Sequence, residues 1–447
     1  MIYRRLAVMR NTFFMKSMRI AVPLAFQAML QSSFSIIDEI MVGRLGENAI
    51  AAIEVGGKPG FVFTCVSGAI ATVAGIQVSQ YMGKEDDEKV DLAMSVNLSV
   101  MLLIALVTSA ACFFIPSILA GIFTKDIDVI NAAKGYIRII SIVYPLSGIA
   151  TILAVQIRCK GYAQYPLYVS AASAMINTGL NYLLIFGKLG MPSLGIYGAG
   201  IASAASQAVS LICMIMVHHK VCRLYFNLKM NPAECRQYAV ILMPVVVNEF
   251  LWSVGQNVNT FIYGHMGTKE LAGMSLTAPL QGLFIGALSG LSQAAGILIG
   301  KRLGECEYEK AYEESKRLCL YGFIGSVALS FVLLLSRGLY AELYNVEEEV
   351  KNIGKGLLAA FAILAPVKVA NMILGGGVIR SGGKTKYVMI IDILGTWLIG
   401  VPLGIITGLV LRFPIVWVYF ILSQEELVRL VISVFIFRSR KWMQTIE

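Results

Sequence analysis

The second half of this chain repeats the first at one fixed offset, and no other feature of the sequence restricts its fold as much. Shifted by 221 positions, Pro23 falls on Pro244, Gly43 on Gly264 and Gly46 on Gly267. The same shift carries Ala74-Gly75-Ile76 onto Ala295-Gly296-Ile297, Gly83 onto Gly304, Glu88-Lys89 onto Glu309-Lys310 and Pro145 onto Pro366, while Arg158 meets Arg380 at 222. Each half holds about six apolar stretches, each near the roughly 20 residues that cross a bilayer. An even number of crossings returns the chain to the side on which it began, so both halves insert with the same orientation. The result is a parallel repeat about an axis along the membrane normal, which secondary transporters use to build a site between two lobes.

The apolar runs predict spans near 18–41, 50–80, 92–115, 133–156, 167–187, 196–217, 238–263, 274–299, 318–336, 357–378, 388–411 and 413–436. That is an all-α membrane protein of twelve transmembrane helices in two pseudo-symmetric six-helix lobes, 1–217 and 238–447, joined by a cytoplasmic loop at 218–237. Only 14% of the residues are charged, against about 25% in a soluble domain, and the mean hydropathy is +0.73. The longest connections cover about 20 residues, so no soluble domain is expected. The formal net charge of +10 is a matter of placement. Arg4, Arg5, Arg10, Lys16 and Arg19 crowd the N-terminus, Lys220, Arg223, Lys229 and Arg236 the middle loop, and Arg438, Arg440 and Lys441 the C-terminus. Of the 37 basic residues, 24 fall on that side, with 10 opposite and Lys58, Lys368 and Arg429 within spans. Positive residues stay inside, so both termini and the middle loop are expected in the cytoplasm of a cell with the chain in its inner or plasma membrane. No nucleic-acid partner is implied. The first apolar run is longer than a signal-peptide core, lacks an A-x-A site and contains Asp38, so it reads as a retained helix. The eight cysteines form no C-x-x-C pair, which argues for packing over a disulfide framework or a metal site.

Polar residues inside the spans are the functional candidates, because an ionisable side chain in a bilayer costs at least roughly 3 kcal/mol. On the first helix, Gln27, Gln31, Ser35 and Asp38 form one continuous face, and Leu24, Ile36 and Met41 the other. Asp38 lies about 12 Å outward of the helix middle. It is either a cation or proton site on a central cavity or a structural carboxylate. Asn177 and Asn181, one turn apart on the fifth helix, either ligate Na⁺ and tune a nearby carboxylate or bond helices together. On the seventh, Asn248, Glu249, Trp252, Gln256, Asn259 and Tyr263 make an aromatic and polar stripe. Asn259 is the repeat counterpart of Asp38. Glu249, flanked by aromatics, suits a flat organic cation, or pairs with Lys368. Glu54 with Lys58 and Glu425 with Arg429 are four apart and read as structural pairs. Asp392 and Arg44 lie near interfaces where water is close. Gly375-Gly376-Gly377 lacks a phosphate-loop lysine and reads as close packing or a joint. The twenty methionines read as core.

The motif Pro23-…-Gln31-…-Ile37-Asp38-…-Met41-Val42-Gly43-Arg44-Leu45-Gly46 resembles the first-helix signature of the multidrug and toxic compound extrusion (MATE) transporters. Ala74-Gly75-…-Gln80-Tyr81-Met82-Gly83, Arg158-…-Gly161, Asn177-…-Leu180-Asn181-…-Leu184-Ile185-Phe186-Gly187 and Glu425-Glu426-…-Phe437-Arg438-Ser439-…-Lys441-Trp442 extend the resemblance over the whole chain. It implies two six-helix lobes rocking between inward- and outward-facing states, exporting organic cations or other amphipathic compounds against H⁺ or Na⁺. It further implies that Asp38 binds the coupling ion with Asn177 and Asn181 as partners. Some relatives carry a carboxylate where this chain has Asn181, and those with a seventh-helix Glu often place it a turn later, at the position of Trp252.

The expected function is therefore ion-coupled multidrug efflux. Asp38, Asn177 and Asn181 form the ion site, and Gln27, Gln31, Glu249, Trp252, Gln256, Asn259 and Tyr263 face the substrate. No cofactor is expected beyond the coupling ion, and no metal beyond Na⁺ at Asp38. The partners are small molecules and membrane lipid around a monomer. A lipid-linked sugar flippase predicts a cavity rich in Arg and Lys, where these stripes offer acids and amides with Lys368 the main exception. An exporter of one endogenous metabolite would share the same architecture, as would a receptor or scaffold that transports nothing. An enzyme is disfavoured, because the three histidines (His218, His219, His265) suggest no nucleophile–base cluster. The compact form without a long tail fits a bacterial protein.

Overall fold

A computed structural model describes residues 2–222, 225–344 and 346–446, with side chains for all but 2–12, 36, 39 and 47. Arg223 of the charge count lies outside the described residues, and so do the side chains of Arg4, Arg5, Arg10 and, on the first helix's apolar face, Ile36. The described residues form helices and no strand. In chain order they are α1 (Ile2–Gly43), α2 (Glu47–Gly83), α3 (Asp87–Phe114), α4 (Pro116–Gly121), α5 (Ile127–Ile140), α6 (Val143–Cys159), α7 (Gln164–Phe186) and α8 (Ile196–Val221). Then come α9 (Pro232–Met266), α10 (Thr268–Gly304), α11 (Tyr308–Glu342), α12 (Glu348–Asn371), α13 (Thr385–Asp392), α14 (Val401–Gly404), α15 (Ile415–Leu422) and α16 (Glu425–Ser439). Wider π-helical turns continue α12 over Met372–Ile379 and flank α14 over Ile393–Gly400 and Ile405–Val410.

Ten of these segments are long and apolar enough to cross a membrane. An eleventh crossing is the bent pair α5 and α6, which meet at 42° where the apolar run predicts one straight helix over 133–156. Pro145 explains the bend: it has no N–H to give the carbonyl of residue 141, so the ladder breaks there. The twelfth expected span is α15 and α16, interrupted at Ser423 and Gln424. Broken there, it leaves pieces of 8 and 15 residues, each shorter than a full crossing.

The chain packs as two units. One takes in residues up to Met29, Ser79–Asp86 and Pro232 onward; the other takes in Leu30–Val78 and Asp87–Asn231. In the first, the ends of α2 and α10 meet through residues that the repeat equates. A side chain on Gly83 would strike the carbonyl of Lys301 and come within 3.0 Å of the Gly304 Cα. One on Gly304 would strike the carbonyl of Gln80. Gln80 plus 221 is 301, so each contact is the image of the other, as a two-fold arrangement requires. Gly375-Gly376-Gly377 falls in the π-helical turns after α12, and a Cβ on Gly377 would lie 2.6 Å from the Ser292 carbonyl. That is the close packing expected of it.

The chain after α16 forms a strap in the same unit. Trp442 is fully buried and Ile446 is 4% exposed. The Gln80 amide donates to the carbonyls of Ser381 (2.7 Å) and Gln444 (3.3 Å) and accepts from the Ile446 N–H (2.7 Å), while Lys84 donates to the Ile446 carbonyl. Trp442 stacks on Phe437 and Phe437 on Tyr312, with centroids 5.7 and 4.6 Å apart. Arg440 pairs with Glu309 and lies over the Tyr312 ring at 4.4 Å. Gln80 spends its amide on backbone groups of two other segments, a buried bonding pattern that leaves none of its polar atoms idle.

Candidate functional site

The second unit brings Asp38, Asn177 and Asn181 together. Asp38 sits near the end of α1 on its polar face, and the two amides share one face of α7, four residues apart. Asn181 donates to an Asp38 carboxylate oxygen at 2.8 Å and is 3% exposed. Asn177, with its amide nitrogen assigned toward the acid, donates to the two carboxylate oxygens at 3.1 and 3.3 Å. Two amide donors on one face of α7 suit an ionised carboxylate. Gln31 and Ser35, on the same stripe, are exposed, and Gln27 is 9% exposed.

In the first unit, Trp252, Gln256, Asn259 and Tyr263 of the predicted α9 stripe line one cavity of about 250 Å³. Their spacing of four, three and four residues places them on one face of α9. The opposite walls bring residues that no local pattern groups: Gln281 on α10, Lys368 on α12, Thr396 in the π-helical turns after α13, Tyr419 on α15, and Glu425, Glu426 and Arg429 on α16. Tyr419 donates to Gln281 at 3.2 Å. The Asn371 amide donates to the Glu426 carboxylate at 2.8 Å and to its carbonyl at 2.7 Å. Polar side chains on α12, α15 and α16 were the available signal, since each interrupts an apolar run.

Several expected pairings are replaced. Glu249 does not meet Lys368; it pairs with Arg380 at 3.5 Å and is not part of the cavity wall. Arg429 does not pair with Glu425. It pairs with Asp392 and, one residue further along α16, with Glu426 at 3.5 Å. Asp392 is consequently held in a side-chain ion pair with only 15% of its side chain exposed, and not at a wet interface. Glycines make these arrangements possible: a Cβ on Gly395 would collide with the Arg429 side chain, and one on Gly400 with the Glu425 carboxylate. The Glu54–Lys58 pair forms as expected, on an exposed surface.

The family model MatE matches residues 23–183 and 244–406, one stretch in each repeat. The chain is 24% identical over 430 residues to the uncharacterized transporter YisQ of Bacillus subtilis, covering 94% of this chain and 93% of that one. It is 22% identical over 402 residues to the multidrug resistance protein MdtK of Cronobacter sakazakii, covering 87% and 86%. Among solved structures, the MATE transporter VcmN of Vibrio cholerae superposes over 97% of this chain and 99% of that one, with a TM-score of 0.89 at 16% identity. With twelve spans in two repeats and a family match that reaches into both, the chain belongs to the MATE family of multi-pass membrane transporters.

Proposed function

We propose that this transporter is a secondary active multidrug exporter, moving organic cations or other amphipathic compounds outward in exchange for H⁺ or Na⁺. The observation that carries the reading is a carboxylate on a membrane helix held between two amides of a neighbouring helix. Relatives named for multidrug resistance support the efflux reading. With Asp38 ionised and empty, both amides donate to it and tie α1 to α7. Protonation, or Na⁺ beside it, weakens those donations and alters how α1 packs in its lobe. Coupling then requires ion and substrate to favour different packings, and cannot exceed that difference in affinity. In this reading Trp252, Gln256, Asn259 and Tyr263 hold substrate, and Glu249 acts through its pair with Arg380. The chain works as a monomer in a cell membrane with both termini cytoplasmic.

The test is efflux of a fluorescent organic cation from cells lacking their own exporters, comparing wild type with Asp38→Asn at matched expression. Efflux should fall at least tenfold in the variant and should vanish when one of the two gradients, H⁺ or Na⁺, is collapsed. Equal efflux by Asp38→Asn, or efflux indifferent to both gradients, would refute coupling at this carboxylate.

A further inference from the structure

The cavity in the first unit holds charges that its own ion pairs do not neutralise. Arg429 is satisfied by Asp392 and Glu426. Lys368 and Glu425 are left over. Among the described residues Lys368 forms no ion pair or hydrogen bond, and its nitrogen stands 5.9 Å from the ring centres of Phe361 and Tyr419. Glu425 has no cation within ion-pair distance among the described residues; Arg429 and Lys368 act on it from further off, and Thr396 is its hydrogen-bonding neighbour. Both side chains line the same cavity of about 250 Å³.

An uncompensated charge inside a membrane protein is costly, and keeping one there normally has a functional reason. Two opposite charges that share a cavity without pairing are the complement of a molecule that carries both. A simple organic cation would meet Glu425 but leave Lys368 without a counter-charge. A simple anion would do the reverse. The walls also supply flat aromatic surfaces from Trp252, Tyr263 and Tyr419, suited to a ring. Asn259, on the same wall, has a buried amide oxygen without a partner among the described residues. The space is smaller than the roughly 300–1,000 Å³ of drug-sized pockets.

We infer that this cavity binds a small aromatic zwitterion, with Lys368 holding its carboxylate and Glu425 its ammonium. As a statement about substrate the inference rests on the exporter reading; as a statement about binding it stands apart from it. The experiment is calorimetric titration of the purified full chain with three probes of one shape: phenylalanine, phenethylamine and 3-phenylpropionate. Each matched charge contact strengthens binding on the order of tenfold or more. Phenylalanine should therefore bind at least tenfold more tightly than either fragment. Lys368→Met should bring phenylalanine down to the affinity of the amine, and Glu425→Gln to that of the acid. Because neither charge sits in an ion pair, each variant should melt close to the wild-type temperature. The inference is overturned if no probe binds at 10 mM, on the order of the weakest measurable affinities, or if the zwitterion binds no better than its fragments. It is equally overturned if each single variant melts lower and the double variant recovers, since that marks a structural pair. Phenylalanine binding without transport would leave the site standing and remove the substrate role. Cation efflux without phenylalanine binding would overturn the site and leave the exporter reading standing.

Discussion

At the scale of single residues, the decisive contrast is between charges that are paired and charges that are held apart. Arg429 belongs to the first kind: Asp392 and Glu426 both lean on it, with side chains 15% and 10% exposed. Arg429→Met would leave two buried carboxylates without a cation, a loss of about 3–5 kcal/mol. We expect a markedly lower melting midpoint in detergent, with most of the loss recovered in Arg429→Met/Asp392→Asn. A single variant that melts like wild type would show that the pairs are ornamental. The Asp38 group was legible in the sequence because its members announce themselves locally: a carboxylate on a polar face, and two amides one turn apart. The charged wall of the cavity was not. Lys368, Asp392, Glu425 and Arg429 were each visible, but which of them meet depends on how four helices pack, and spacing of four residues pointed Arg429 to Glu425 when the structure pairs it with Glu426 and Asp392.

At the scale of helices, hydropathy locates nearly every span, because a bilayer demands the same apolar length wherever a helix crosses it. What it cannot register is the hydrogen-bonding pattern within a span. The π-helical turns after α12 and around α14 differ from an α-helix only in which carbonyl each N–H reaches, and the apolar composition runs through them unchanged. The bend between α5 and α6 was readable from Pro145. Close approach of α2 to α10 offers a sharper test of the repeat. Gly83→Ala and Gly304→Ala each force a methyl group against backbone on the other helix, and each should cost about 1–3 kcal/mol as overpacking does. The double variant should cost less than the sum of the two, because helices already pushed apart by the first methyl have room for the second. Thermal melting of the four proteins closes the cycle, and strict additivity would mean that the two glycines do not share one contact.

At the scale of the whole molecule, the repeat places one carboxylate site in one half and a cavity lined by several charged side chains in the other. Asp38 and Asn259 are equivalent positions that the two halves have put to different use: one in a hydrogen-bonded acid group, one in the wall of the cavity. The twelve-span, two-repeat architecture was readable from the fixed offset alone, whereas the strap at the end of the chain was not, since its anchors on Gln80 and Lys84 lie more than 360 positions away. Trp442→Ala should cost about 3–5 kcal/mol, the usual loss for a buried aromatic, and limited proteolysis should then cut the chain after Ser439. Resistance equal to wild type would show the strap to be held without the indole. The strap also bears on how the protein is handled. Ile446 is buried, and both its N–H and its carbonyl are engaged. A fusion partner placed directly after residue 446 starts from inside a packed seam, so a flexible spacer after Ile446 is what keeps the strap seated.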